Sequence, residues 1–370
     1  MDRPQGQTRI AMRELLYNEH CLIQTAAMHA ALEMLPTFPE NKSLTIVDYG
    51  CGQGVNAIEP MEKILSSLPN GAIASLVFED TPWNDWPTLV ETIYNKMHTI
   101  SQPGRNIQLF LNLVPVGFYD HVVPKKAADV GLCWSSLNYL KVQPNLNLDP
   151  SAPPSEFIAA RRKAFATAAH QDLIEFLKFR ASEIREGGTF VAAVGGQKPD
   201  SNTRPTNTGM APLQAAMLKL VRMGRLTATE LAQFALFPSH ERTPEELQNA
   251  LAIPEVADLW EVETVEPKLI VHPAWETYQK TLNMSGQNDV KQKEALKNYA
   301  QASLQNLVSS SGWFWLEVLK KSRGSHWIGG QDLLEELTRV AVQEWVENFE
   351  NMKVEIWYTY LRLKRKGANA

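Results

Sequence analysis

The chain has 370 residues, a formal net charge of −5, 44% hydrophobic and 21% charged residues, the profile of a folded globular protein long enough for a core of roughly 200 residues plus an added lobe. The acidic balance gives no basic field for nucleic acid, no apolar run reaches the ~20 residues of a membrane span, and Met1 to Thr8 is polar, unlike a signal peptide. Three cysteines, Cys21, Cys51 and Cys133, supply neither a disulfide framework nor a closely spaced metal site, so a cytoplasmic, reduced, metal-free protein without nucleic-acid or membrane partners is expected.

Residues 1 to 8 read as disordered. Ile10 to Leu35 is periodic at helical spacing and is stopped by Pro36 and Pro39. Tyr17, Cys21 and Gln24 share one face of it, which serves either as a lid over a pocket or as a capping helix. Leu44 to Val47 is a short β-branched run that reads as a buried strand and empties into Asp48-Tyr49-Gly50-Cys51-Gly52-Gln53-Gly54. Helical spacing resumes from Asn56 to Leu68. A strand, a glycine turn and a helix open a doubly wound α/β unit, whose ligands sit beyond the carboxyl ends of the strands. The acidic residue at the strand end, Asp48, and three alternate glycines favour S-adenosylmethionine over a dinucleotide, and no Gly-Lys-Ser/Thr is present to hold a triphosphate. Ala74 to Phe78 is a second strand ending in Glu79-Asp80, where a carboxylate can accept from both hydroxyls of a ribose.

Leu89 to Met97 reads as a helix, Ile107 to Val114 as a third strand and Ala128 to Cys133 as a fourth. The fourth strand ends in the polar and aromatic run Trp134 to Leu140. Gln143 to Glu156 is a surface loop, Phe157 to Glu186 a long helix closed by Gly187-Gly188, and Thr189 to Val194 a fifth strand. Lys198 to Pro212 is a long Pro-rich loop. Pro212 to Gln301 reads as mainly helical, with Pro244 at the first position of one helix. Trp313 to Lys320 and Gln331 to Phe349 are helices, and Val354 to Leu363 is a closing strand.

Several of these segments fall into one register. Tyr17, Cys21 and Gln24 match a Tyr-x-x-Asn-Ser-x-x-Gln segment. Asp48, Gly50, Cys51, Gly54 and Asn56 match Asp-x-Gly-Cys-x-x-Gly-x-Asn. Asp80, Pro82, Asn84 and Asp85 match Asn-Asp-Leu-Pro-x-Asn-Asp-Phe; Val114, Pro115, Phe118 and Tyr119 match Val-Pro-Gly-Ser-Phe-Tyr. Ser136, Leu137 and Leu140 match Ser-Leu-His-Trp-Leu, with Asn138 and Tyr139 substituted. Asp172, Phe176, Leu177, Arg180, Ala181, Glu183, Gly187 and Gly188 match a further segment. Over residues 10 to 200 the chain resembles the SABATH methyltransferases, which methylate salicylate, benzoate, jasmonate and theobromine.

The resemblance implies a Rossmann-like class I methyltransferase core with an inserted helical cap. Its expected divisions are a lid at 1–40, a core at 41–200, a cap at 201–330 and a closing helix and strand at 331–370. It implies a cofactor cleft for S-adenosylmethionine, leaving S-adenosylhomocysteine, built from Tyr17, Cys21, Asp48, Gly50, Gly54, Asn56, Asp80, Thr81, Gly117, Phe118 and Cys133. Asp80 would hold the ribose and Phe118 would lie against the adenine. Gln24 and Tyr139 occupy the positions that grip the acceptor carboxylate through N–H donors, and tyrosine here replaces an indole. Tyr17, Ser136, Asn138, Leu213, His240 and Arg242 complete the acceptor site, and His240 or Arg242 would bind a second carboxylate. The expected partner is a small carboxylic acid; an N-methyltransferase of a small amine, or a non-methylating binding or cyclising protein, are the alternatives. Plant members often form dimers, so a homodimer is consistent with the resemblance although no segment reads as an interface.

Overall fold

The computed structural model describes residues 10, 15–101, 104–146, 154–200, 202–286 and 288–367; the expected disorder of residues 1 to 8 lies outside these. Among the described residues seven strands, β1 (Ser43–Tyr49), β2 (Ile73–Asp80), β3 (Gln108–Pro115), β4 (Ala128–Trp134), β5 (Ile184–Gly196), β6 (Trp260–Val271) and β7 (Glu355–Arg365), form one sheet in the order β3-β2-β1-β4-β5-β7-β6. The ladders from β3 to β5 are parallel, and β7 enters antiparallel between β5 and β6. The strand order reverses between β1 and β4, which places the expected crevice beyond their carboxyl ends.

Both faces of the sheet are covered at β1 and β4, which is why these strands read as unbroken apolar runs. Ile46 belongs to a buried cluster with α2 (Leu22–His29), α3 (Val55–Leu65) and α4 (Trp86–Ile100). Its neighbour Val47 points the other way, among Leu173, Phe176 and Leu177 of α5 (Pro154–Glu183) and Leu247 of α8 (Pro244–Leu251). The short α9 (Pro254–Ala257) closes that face through Val256. A separate apolar cluster forms the cap, from α6 (Met210–Arg222), α7 (Ala228–Phe234), α10 (Ala274–Ser285), α11 (Asp289–Arg323) and α12 (Gly330–Asn348).

Three expectations are corrected. Ile10 to Leu35 is not one helix: a single turn α1 (Tyr17–His20) breaks at Cys21 before α2. The break has side-chain causes, because Asn18 Nδ2 donates to Gln53 O at 2.9 Å and to Thr92 Oγ1 at 2.9 Å, while Asn306 Oδ1 accepts the Ile23 N–H at 3.0 Å. The helical stretch Pro212 to Gln301 contains β6, an edge strand of the core sheet. Its charged, Pro-containing sequence hides the period-2 pattern, and Pro267 is tolerated because one side of an edge strand makes no ladder bonds. Gly187-Gly188 does not close a helix but lies inside β5, which begins at Ile184, next to the register shift between Ala128 and Val130.

No described helix is long and apolar enough to cross a membrane, and no cluster of potential metal ligands occurs among the described residues.

Candidate active site

At the end of β1 the chain turns through Gly50 (φ 78°), Gly52 (φ 56°) and Gly54 (φ 93°), left-handed conformations open chiefly to glycine. The Gly50 N–H donates to Glu79 Oε2 at 3.0 Å, and the Gly52 N–H donates to Asp80 Oδ2 at 2.7 Å. The two acids at the end of β2 thus hold the turn of β1 open. Asp80 Oδ1 also accepts the Thr81 N–H at 2.7 Å. Burial pushes Asp80 up to about 6 despite these donors, and burial with the Asp80 carboxyl beside it pushes Asp48 up to about 8. Asp48 Oδ1 is buried without a hydrogen-bond partner. A cleft walled by carboxyls, one of them unpartnered, fits a ligand carrying cationic and hydroxyl groups.

Tyr17, Asp48, Gly50, Asn56, Asp80 and Thr81 line this cleft together with Phe118, Ser136 and Tyr139. Gly52, the middle glycine of the expected turn, also lines it, as do Trp134 and Ser135, to which the sequence assigned no cofactor role. Ser135 carried a signal only in three dimensions: it is a non-glycine residue at φ 59°, a strained conformation of the kind that clusters at functional sites. Four expected contacts sit behind the cleft instead. Cys21 packs against Thr25 and Asn56, and Cys133 lies 3.0 Å from Ser136 Oγ beneath the wall. Gly54 caps α3, where an added Cβ would stand 2.5 Å from Leu89 Cδ1. Gly117 shapes the turn before Phe118 by accepting the Asp120 N–H.

The α5 segment matched in the sequence now has a physical role. Arg180, fully buried, donates to Phe118 O at 3.0 Å and Asp120 O at 2.8 Å, pairs with Glu183 at 3.2 Å and lies over the Tyr49 ring. It thereby holds the loop that presents Phe118. Tyr119 donates to Tyr139 O at 2.9 Å, tying that loop to the Trp134 to Leu140 segment.

A second hollow opens beside the first, and Ser135 and Tyr139 line both. Gln24 and Asn138 line it as expected. Asn306 Nδ2 donates to Gln24 Oε1 at 2.8 Å, which fixes the amide and leaves its NH2 end as a donor. Tyr139 departs from its expected role: its hydroxyl donates to Ser310 O at 3.1 Å and its ring packs on Phe237 and Trp313, so the proton is committed and the residue acts as a wall. His240 and Arg242 also depart from theirs. Phe237, Ser239 and Glu241 line the hollow, whereas Pro238, His240 and Arg242 are buried behind it. The segment bridges Tyr139 and Gly196 in extended conformation, where alternate side chains point to opposite sides. His240 faces Glu246, and Arg242 donates to Leu137 O and to Ala169 O at 2.7 Å, pinning α5 to the site loop. Leu213 is fully buried in the cap core and lines neither hollow.

The geometry agrees with a family model described as SAM dependent carboxyl methyltransferase, which matches residues 12–319. The chain belongs to that family. It is 31% identical over 316 residues to Methyltransferase LUC1 of a Fusarium species, covering 82% of each chain, and 28% identical to O-methyltransferase acrG of Aspergillus aculeatus, covering 95% of each. A solved structure of loganic acid methyltransferase with SAH has the same fold, with a TM-score of 0.68 and 21% identity over 96% of this chain and 97% of that one. As a carboxyl methyltransferase of this family, the enzyme takes its methyl group from S-adenosylmethionine, and the lining of the first hollow suits that donor. Asp80, Phe118 and the Asp48 carboxyl with its unpartnered Oδ1 all line that hollow.

Proposed function

We propose that the protein forms the methyl ester of a small organic acid bearing one carboxylate, held in the hollow beside the cofactor cleft by the Gln24 amide. The observation that carries this is the shared wall: Ser135 and Tyr139 line both hollows, so an acid gripped in one lies against the donor in the other. Methyl transfer from sulfonium to carboxylate breaks one C–S bond as one C–O bond forms, and no proton moves. A general base is therefore unnecessary. What remains for the protein is to hold the acid in line and exclude water, and positioning of that kind supplies roughly 7–11 kcal/mol. Gln24 suits the task because Asn306 has already fixed its orientation, so binding an acid loses little rotamer freedom.

Neither His240 nor Arg242 reaches the hollow and, among the described residues, no Lys or Arg lines it, so the second carboxylate expected from that pair has no cation to meet. Relatives named gibberellic acid methyltransferase 1, from Arabidopsis thaliana, and loganic acid O-methyltransferase, from Catharanthus roseus, support the choice of acids as acceptors. The division into lid, core and cap is retained, with β6 assigned to the core. A homodimer and a cytoplasmic location remain part of the proposal. The test is to titrate the protein with S-adenosylhomocysteine and then follow release of that product with a panel of acids and amines. Turnover with mono-acids supports the proposal; turnover with amines alone overturns it.

A further inference from the structure

Three buried polar atoms around the acceptor hollow have no protein hydrogen-bond partner: His272 Nε2, Ser303 Oγ and Asn138 Oδ1. Buried groups of this kind normally find partners, and leaving one unmatched is destabilising. His272 follows β6 and is 1% exposed. Its Nδ1 accepts the Ala274 N–H at 3.3 Å, which leaves the ring proton on Nε2. Asn306, which faces that ring, accepts from Ile23 and donates to Gln24. Burial pushes His272 down to about 4, so the ring is a neutral donor near pH 7. His272 and Ser303 line the acceptor hollow and not the cofactor cleft, so their wall meets a part of the acid other than the reacting end.

We propose that His272 is a specificity-determining residue whose Nε2–H donates to a neutral oxygen, a carbonyl or hydroxyl, carried by the acid in addition to the carboxylate that is methylated. The proposal rests on methyl transfer to the carboxylate of a small acid. A neutral partner is required because no Lys or Arg among the described residues lines the hollow and the acidic Glu241 does, so a second anion there would be both uncompensated and repelled. Ser303 places a hydroxyl on the same wall. A site built to donate to an oxygen discriminates strongly against an analogue lacking it, because its own donor is then left buried and unpaired.

The experiment compares a straight-chain monocarboxylic acid, its oxo analogues with the carbonyl at successive carbons, and the dicarboxylic acid of the same length. In the wild type the best oxo acid exceeds the plain acid in kcat/KM by at least tenfold, and the dicarboxylic acid falls below both. His272→Leu lowers the oxo acid to the level of the plain acid, mainly through KM, and leaves the plain acid within threefold. His272→Gln, which keeps an N–H donor, restores part of the preference. A wild type with no preference for any oxo acid, a preferred dicarboxylic acid, or an equal loss on both acids in His272→Leu overturns the proposal. Histidine-selective nitrogen NMR on the wild type with S-adenosylhomocysteine reads the same contact without a variant. The His272 Nε2–H signal shifts with the best oxo acid and not with the plain acid; an unshifted signal overturns the proposal. If no acid in the series yields a methyl ester, the choice of small acids fails, and the NMR shift still decides on His272.

Discussion

Replacing Gly50 by alanine separates the two reasons for a glycine in the cofactor turn. At φ 78° an L residue is strained by roughly 1–2 kcal/mol. The new methyl group would also lie 2.5 Å from Ser136 Oγ, 2.6 Å from Ser136 Cβ and 3.3 Å from Phe118 Cε1. Ser136 cannot retreat freely, because its hydroxyl donates to Tyr49 O at 3.0 Å, and losing that bond adds about 1 kcal/mol. The expected sum is about 2–3 kcal/mol, equivalent to roughly 30- to 150-fold, divided between folding stability and affinity for S-adenosylhomocysteine. Gly71→Ala is the control: it has nearly the same φ, 80°, but nothing within 4 Å of an added Cβ. Chemical denaturation and calorimetric titration are run on both variants. Gly71→Ala shows the strain alone, with ligand affinity unchanged, and Gly50→Ala shows a larger loss together with weakened binding. Equal destabilisation by the two variants, with normal S-adenosylhomocysteine binding in Gly50→Ala, would falsify the account of the turn as a cradle shaped by Ser136 and Phe118.

Gln24→Ala removes a donor to a charged oxygen and lowers kcat/KM for the acid by about 10- to 100-fold, while S-adenosylhomocysteine affinity stays within about threefold. Tyr139→Phe gives up only the bond to Ser310 O and loses less than about tenfold; a loss equal to that of Gln24→Ala would return the phenol to the clamp. Asp48 titrates near 3.8 in an unfolded chain and about 8 in the ligand-free fold, so the native state holds the extra proton between those values. Its stabilising contribution is complete below about pH 4 and is lost as the pH rises toward about 8. The thermal midpoint of wild type therefore falls relative to that of Asp48→Asn, which mimics the protonated acid, as pH increases over that window, and parallel curves would exclude the shift.

The β1 turn was legible in one dimension because its chemistry is local. A β-branched strand, Asp48 and glycines at positions that need positive φ can be read over fourteen residues, and Asp80 at the end of β2 follows from the same logic. The closing strand β7 was legible by its alternation, but its insertion between β5 and β6 was not, because nothing local specifies which neighbour a strand pairs with. β6 escaped for a related reason: an edge strand carries charge and proline like a loop, and only pairing with β7 declares it.

Sequence alone determined the family, the donor, and most of the lining of the first hollow, since those depend on short segments whose backbone geometry is dictated by their own residues. Tertiary structure decided which side chains line the second hollow. One residue of alternation turned Ser239 and Glu241 inward and His240 and Arg242 outward, and a carbonyl on α11 accepted the hydrogen bond of the Tyr139 hydroxyl. His272 came to the same hollow from the far edge of the sheet. Contacts between segments more than a hundred residues apart are set by how helices and strands pack, and that information is not carried by the spacing of any one of them.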